Sequence, residues 1–335
     1  PPHQVGMVTA SATFFRQIGG TIGISVFGTV FATKLSHGMA AAHAGQRRMR
    51  DGVAWVELAA ITDPALVVTV VAQALGLPAG IVVAGGAGDN AASAVGMGAV
   101  DAGQGFLSLG TSGVLFVVTP SYQPNAASAT HAFCHAVPGR WHQMSVMLSA
   151  ASSLQWVTDL LGAPNAGVVA GKAADLSLAD RATSPLFLPY LGGERTPHND
   201  ANVRGSFHQL SFDTDAARLG YAVIEGVTFG LKDGLAALNA AGSRVTRLSL
   251  VGGGARSAFW AQQLASALDA EVVTHGSSAV GGALGAARLG WLATGAAQST
   301  VCLSPEVEAS YRPNAAEQDL LAARYAQFRS LYRPT

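Results

Sequence analysis

The run FLSLGTSGVLFVV, residues 106–118, constrains this chain more than any other stretch. Two apolar segments, 106–110 and 114–118, meet at Gly110-Thr111-Ser112-Gly113. The pattern predicts a strand, a tight turn and a second strand. The turn has a chemical reading too. Glycine lets the main chain approach an anion, and the two hydroxyls add donors, so these residues suit a phosphate. An ordinary hairpin turn would use Thr-Ser-Gly equally well.

Just upstream, Ile81-Val82-Val83 is β-branched and predicts a short strand. The glycine-rich AGGAGDNAASAVGMG (84–98) then carries Asp89 and Asn90 to the start of a small-residue helix over about 90–97. An acid on a glycine elbow can approach a substrate hydroxyl as a base; it can also be a plain helix cap. GAGDNA (86–91) fits the dinucleotide pattern G-x-G-x-x-A. The following strand, however, ends in glycine and threonine, without the acid that would hold a ribose.

The chain of 335 residues is long enough for one large or two ordinary domains. Residues are 49% hydrophobic and only 12% charged, so a sizeable core is expected under a surface poor in charge. Twenty basic residues balance twenty acidic ones, which gives a nucleic-acid partner no electrostatic support. No repeat of 20–50 residues is visible. Cys134 and Cys302 alone make no disulfide framework, which points to a reducing, cytoplasmic setting.

Further helices are predicted from Asp63 to Leu75, from Ser149 to Leu161, from Asp213 to Ala240, from Ser257 to Leu268, over 281–290 and from Pro313 to Tyr332. Strands are predicted at 141–148, 247–251 and 271–276, and residues 186–200 read as a loop rich in Pro, Gly and charge. Three strands in a meander followed by alternating helix and strand define an α/β layered domain. Gly252-Gly253-Gly254 turns from strand to helix, with Arg256 and Ser257 behind it. His131, Phe133 and His135 share one strand face with Cys134 on the other; a fourth zinc ligand is missing and no metal-binding residue is predicted. Glu194 and Arg195 are expected to pair within their loop, with Arg195 available to orient phosphate. Trp141, Trp156 and Trp260 read as packing residues.

The first fifty residues differ in character. Gln17 to Thr33 contains no charge and lies between Arg16 and Lys34, at the lower limit for a membrane span. FFRQIGGTIG resembles a late helix of the major facilitator superfamily of drug transporters, so membrane contact by residues 13–35 is an expectation. The alternatives are a glycine-rich core helix, a signal peptide, against which Arg16 sits too far in and a compact basic start is lacking, or a fusion or gene-model artefact. HAGQRRMRD (43–51) reads as a linker.

Five stretches carry a second, broader resemblance: AGGAGDNAASAVG (84–96), FLSLGTSGVLF (106–116), HAFCHAVPGRWHQMSVMLSAAS (131–152), FLPYLGGERTPHND (187–200) and LSLVGGGARSAFW (248–260). Together they are similar to the C-terminal half of the FGGY carbohydrate kinases, in the actin-like ATPase superfamily, and the third stretch resembles the xylulokinase branch. The resemblance implies a ribonuclease H-like α/β fold with a mixed sheet and helices on both faces. It sets the kinase domain at 63–335 and leaves residues 1–50 as an unrelated hydrophobic helix and linker.

The resemblance also assigns roles. Asp89 matches the general base that takes the proton from the C5 hydroxyl of D-xylulose as it attacks the γ-phosphate of ATP, and Asn90 the residue that binds the sugar. Gly110, Thr111 and Ser112 match a phosphate loop; Gly252, Gly253, Gly254, Arg256 and Ser257 match the adenosine loop. ATP and Mg²⁺ are the implied cofactors. The family's N-terminal Asp-x-Gly-Thr/Ser strand, which holds Mg²⁺ and the ATP phosphates, has no counterpart here. The active site is therefore expected to need a separate N-terminal kinase half or self-association as a homodimer. The other readings are a non-catalytic nucleotide-binding or assembly module, and a sister kinase acting on ribulose, gluconate or glycerol.

Overall fold

The computed structural model describes residues 69–335, apart from 71, 74, 75, 79, 80, 83 and 277–280. The elements run α1 (Asp89–Gly96), β1 (Gly105–Leu109), β2 (Gly113–Thr119), β3 (His131–Cys134), β4 (Trp141–Met147), α2 (Ala151–Leu160), α3 (Ala166–Ala174), α4 (Leu178–Ala182), β5 (Leu186–Leu188), β6 (Ser206–His208), α5 (Ala216–Ala240), β7 (Arg247–Val251), α6 (Ala258–Leu268), β8 (Glu271–His275), α7 (Gly281–Ala293), α8 (Gln298–Val301), β9 (Val307–Tyr311) and α9 (Ala315–Leu331). They form two compact units. One holds the described residues up to Gly96 together with Gly281–Leu303; the other holds Met97–Val280 and Ser304–Thr335.

The larger unit is built on a seven-stranded sheet of order β3-β4-β2-β1-β7-β8-β9. The hairpin predicted from FLSLGTSGVLFVV is present, with Leu109 opposite Gly113 and Phe106 opposite Phe116. β1, β7 and β8 are parallel neighbours, and the remaining ladders are antiparallel. The mixed α/β expectation is met. Strand alternation sends Leu107, Leu109, Leu115, Val117, Leu248 and Leu250 into one core, where Val223, Val227 and Leu231 of α5 and Trp260 and Leu264 of α6 cover them. A second core gathers Leu186, Leu188, Tyr190, Phe229, Leu321 and Phe328.

Local chemistry sets the helix starts. The side chains of Asp215, Ser257 and Asn314 accept the N–H groups of Arg218, Trp260 and Glu317 at the heads of α5, α6 and α9. The smaller unit packs α1 on α7 so tightly that only glycine fits. A Cβ on Gly96 would lie 1.9 Å from the carbonyl oxygen of Gly281, and one on Gly285 would lie 1.7 Å from that of Ala92. Arg288 of α7 closes the pair, donating from Nη1 to the carbonyls of Val95 and Gly96 at 2.9 Å each.

Several expectations change. Ile81 and Val82 lie in no strand, and Val83 falls outside the described residues. Val82 is exposed, and neither it nor Ile81 has a ladder to hold it among the described residues. The stretch 186–200 is not all loop: its apolar Leu-Phe-Leu pairs with Ser206–His208. Helices α3 and α4 and the edge strand β9 were not legible in the sequence. Of the helix expected over 63–75, residues 69, 70, 72 and 73 are helical and the others largely fall outside the described set. The expectations for residues 1–50 also lie outside it. Among the described residues, no helix is long and apolar enough to cross a membrane.

Candidate active site

Parallel neighbours β1 and β7 end side by side, and each ends in a glycine loop. The carboxyl ends of adjacent parallel strands are the general place where open α/β sheets bind ligands. Gly252 brings the two loops into contact. It has a left-handed φ of 90°, and a Cβ there would lie 2.7 Å from the carbonyl oxygen of Leu109 and 3.2 Å from the amide of Gly110.

The first loop is held from behind. The amide of Gly110 donates to the carbonyl of Ser112 at 3.1 Å. The carbonyls of Gly110 and Thr111 face the head of α2 and accept the amides of Ala151 (2.9 Å) and Ala150 (3.0 Å). The N–H groups and hydroxyls of Thr111 and Ser112 have no hydrogen-bond partner among the described residues, and both residues are exposed. Four unused donors on an exposed glycine turn fit an anion.

The second loop divides its glycines between two tasks. Gly252 and Gly253 are exposed, and nothing lies within 4 Å of a Cβ on Gly253, so a flat ligand could lie against this backbone. Gly254 is buried instead: a Cβ there would strike the side chain of Leu109 at 2.3 Å. Arg256 is exposed, while the hydroxyl of Ser257 caps α6.

Asp89 is the first residue of α1, and its carboxylate is exposed. Oδ1 accepts from the amide of Asn90 at 2.8 Å and from Asn90 Nδ2 at 3.2 Å. Oδ2 has no partner among the described residues. Asn90 is thereby fixed beside Asp89, with its carbonyl oxygen and one N–H left over.

Two readings of other polar residues change. Glu194 does not pair with the guanidinium of Arg195. It is buried, and its Oε1 accepts the backbone amides of Arg195 (2.7 Å) and Leu148 (3.0 Å). Burial pushes its carboxyl up to about 7. Arg195 instead reaches Nε2 of His131 at 3.4 Å. His135 lies beyond the end of β3. Val137 N–H donates to its Nδ1, so its Nε2 donates to Ala99 O at 3.1 Å, and burial pulls its pKa down to about 4. That neutral, doubly bonded ring is structural. No group of three or more His, Cys, Asp or Glu among the described residues could hold a metal ion. Trp260 is buried, and Trp156 stacks on Phe187 and Phe207. A cavity of about 250 Å³ lined by Gln104, Arg247, Ser249 and His275 sits at the amino ends of β1 and β7, and no predicted site residue lines it.

A mixed sheet with this strand order, and glycine loops at the ends of its parallel strands, has the fold of the actin-like ATPases. Within that class the chain belongs to the FGGY family of carbohydrate kinases, whose C-terminal domain it matches over residues 105–294. It is 45% identical over 266 residues to the xylulose kinase of Escherichia coli strain K12, covering 78% of this chain and 54% of that protein. Among solved structures it is similar to a xyloylose kinase from Brucella ovis, with 46% identity and a TM-score of 0.73, over 78% of this chain and 54% of the other. The xylulose kinase of Rhodospirillum rubrum gives 28% identity and a TM-score of 0.70, over 78% and 53%. The chain thus spans about half the length of the relatives it matches.

Proposed function

We propose that residues 63–335 form the nucleotide-binding half of a sugar kinase that transfers the γ-phosphoryl group of ATP to the C5 hydroxyl of D-xylulose. Residues 1–50 lie outside that domain. The observation that carries the reading is the pair of touching loops, Gly110–Ser112 and Gly252–Arg256, with unused donors at the carboxyl ends of parallel strands. The close relatives are xylulose kinases, which favours xylulose over ribulose, gluconate or glycerol.

In this reading Thr111 and Ser112 hold phosphate oxygens through N–H and O–H donors, and the exposed backbone of Gly252 and Gly253 receives the adenosine, with Arg256 at its rim. Ser257 and Gly254 shape the loop from within. Phosphoryl transfer demands positioning and charge stabilisation more than covalent help, so one placed base is enough. Asp89 Oδ2 takes the hydroxyl proton while Oδ1 stays tied to Asn90, whose free amide atoms bind the sugar. Mg²⁺ would arrive with ATP and screen its phosphates; no residue described here is assigned to hold it. The relatives are about twice as long as their overlap with this chain. Turnover is therefore assigned to a cleft completed by the remaining kinase half, on the same polypeptide or another, in a reducing compartment.

A coupled ADP-release assay tests this with ATP, Mg²⁺ and each of the four sugars. It is run on the chain alone and after mixing with an N-terminal kinase half. Xylulose-dependent release is expected, reduced by about 10²–10⁴ in Asp89→Ala. Release equal to that of Asp89→Ala in both arrangements would sink the proposal.

A further inference from the structure

We infer that Ser152, on α2, is the positioning residue that holds the phosphate loop in its binding conformation. This rests on the nucleotide reading of Gly110–Ser112 and adds a residue to it. α2 begins at Ala151 without a side-chain cap of its own. Its first N–H groups turn instead to the loop: Ala151 donates to Gly110 O at 2.9 Å and Ala150 to Thr111 O at 3.0 Å, with Ser152 N more distant from Thr111 O at 3.4 Å. The shortest of these contacts comes from a side chain. Ser152 Oγ donates to Thr111 O at 2.7 Å.

The neighbouring serines do other things. Ser153 Oγ donates back into its own helix, to Ser149 O at 3.0 Å, and Ser149 Oγ accepts the amide of Gly192 at 3.3 Å. Ser152 is thus the serine of this trio that reaches the loop.

Peptide geometry turns this contact into an aiming device. A trans peptide is planar, so its C=O and N–H point in opposite directions. Holding Thr111 O against α2 aims the N–H of Ser112 away from the helix. Holding Gly110 O against α2 does the same for the N–H of Thr111. These are two of the unused, exposed donors of the loop. If the 111–112 peptide turned over, it would present a carbonyl oxygen to a phosphate in place of a donor. Ser152 supplies the one side-chain bond among the described residues that opposes that turn, and its hydroxyl proton is committed to Thr111.

The test is isothermal titration of the intact chain with adenosine, AMP, ADP and ATP, in the parent, Ser152→Ala and Ser152→Thr. One neutral hydrogen bond corresponds to an affinity loss of roughly threefold to tenfold. Ser152→Ala should lose that much for the ligands whose phosphates reach the loop, lose nothing for adenosine, and recover in Ser152→Thr. Equal weakening for adenosine and ATP would mean general loosening of the fold and would overturn the assignment, as would unchanged ATP binding. If the parent chain binds none of the four ligands, the nucleotide reading fails and takes this inference with it.

Discussion

Replacing Glu194 by Gln should make the protein more stable at pH 8, although it removes a charge from a buried, hydrogen-bonded site. The side chain is 3% exposed. Burial pushes its carboxyl from 4.5 up to about 7, against the pull of the Arg195 and Leu148 amides. The folded state therefore keeps a proton that the unfolded chain releases, so stability falls as pH rises from about 4.5 to about 7. At about 1.4 kcal/mol per pH unit, that interval is worth roughly 3 kcal/mol. Gln keeps the oxygen that accepts both amides and has no charge to desolvate. Other groups complicate the raw profile: His135 and His198 are each pulled down to about 4 by burial, so they add stability as pH rises. The difference between variant and parent isolates Glu194. Urea unfolding at pH 5, 6, 7 and 8 should give a difference of about 1 kcal/mol or less at pH 5, growing to about 3 kcal/mol in favour of Glu194→Gln at pH 8. A difference that does not change with pH, or a variant less stable at pH 8, would refute the reasoning.

Two further substitutions probe the scaffold. In Gly285→Ala the new Cβ would sit 1.7 Å from the carbonyl oxygen of Ala92, and no rotamer can relieve a backbone clash. A loss of about 1–3 kcal/mol or more is expected, and an unchanged urea midpoint would show that α1 and α7 separate easily. Arg324 lies against the fully buried Glu225, with Nε to Oε1 at 2.6 Å and Nη2 to Oε2 at 2.7 Å, and also donates to the carbonyls of Ala182 and Pro185 at 3.0 Å each. Arg324→Met strands that carboxylate and should cost about 3–5 kcal/mol by chemical denaturation. A cost below 1 kcal/mol would mean that Glu225 readily takes a proton instead.

The parts of the fold that were legible in the sequence carry strong local signals. FLSLGTSGVLFVV reads as a hairpin because its apolar runs are long and its turn residues are unambiguous. Helix α5 reads from its sustained periodicity, although the sequence starts it at Asp213 and the structure at Ala216, behind the Asp215 cap. What failed depended on tertiary partners. Ile81-Val82 has strand composition but, among the described residues, no strand to pair with, whereas Leu186-Phe187-Leu188 forms a strand despite Pro189 because Ser206–His208 lies alongside it. β9 is an edge strand with mostly exposed residues, so no apolar alternation marked it. The polar pair Glu194-Arg195 looked like an ion pair because adjacent opposite charges suggest one. The chain instead buries the carboxylate on two backbone amides and turns the guanidinium toward His131.

The candidate site divides along the same line. Residues that would touch a ligand stood out because each departs from what an ordinary turn needs: an acid on a glycine elbow, hydroxyls between glycines, three glycines in a row. Residues that aim them did not stand out. Ser152 is one of several small residues at an unremarkable helix start, and the structure alone separates it from Ser149 and Ser153. The three glycines at 252–254 make the same point in reverse. They read as one motif with one purpose, yet Gly252 is required by its left-handed backbone beside Leu109, Gly253 is open to solvent, and Gly254 is required by the packed side chain of Leu109. A substitution at Gly254 would thus act first on the core, and one at Gly253 first on whatever lies against the loop.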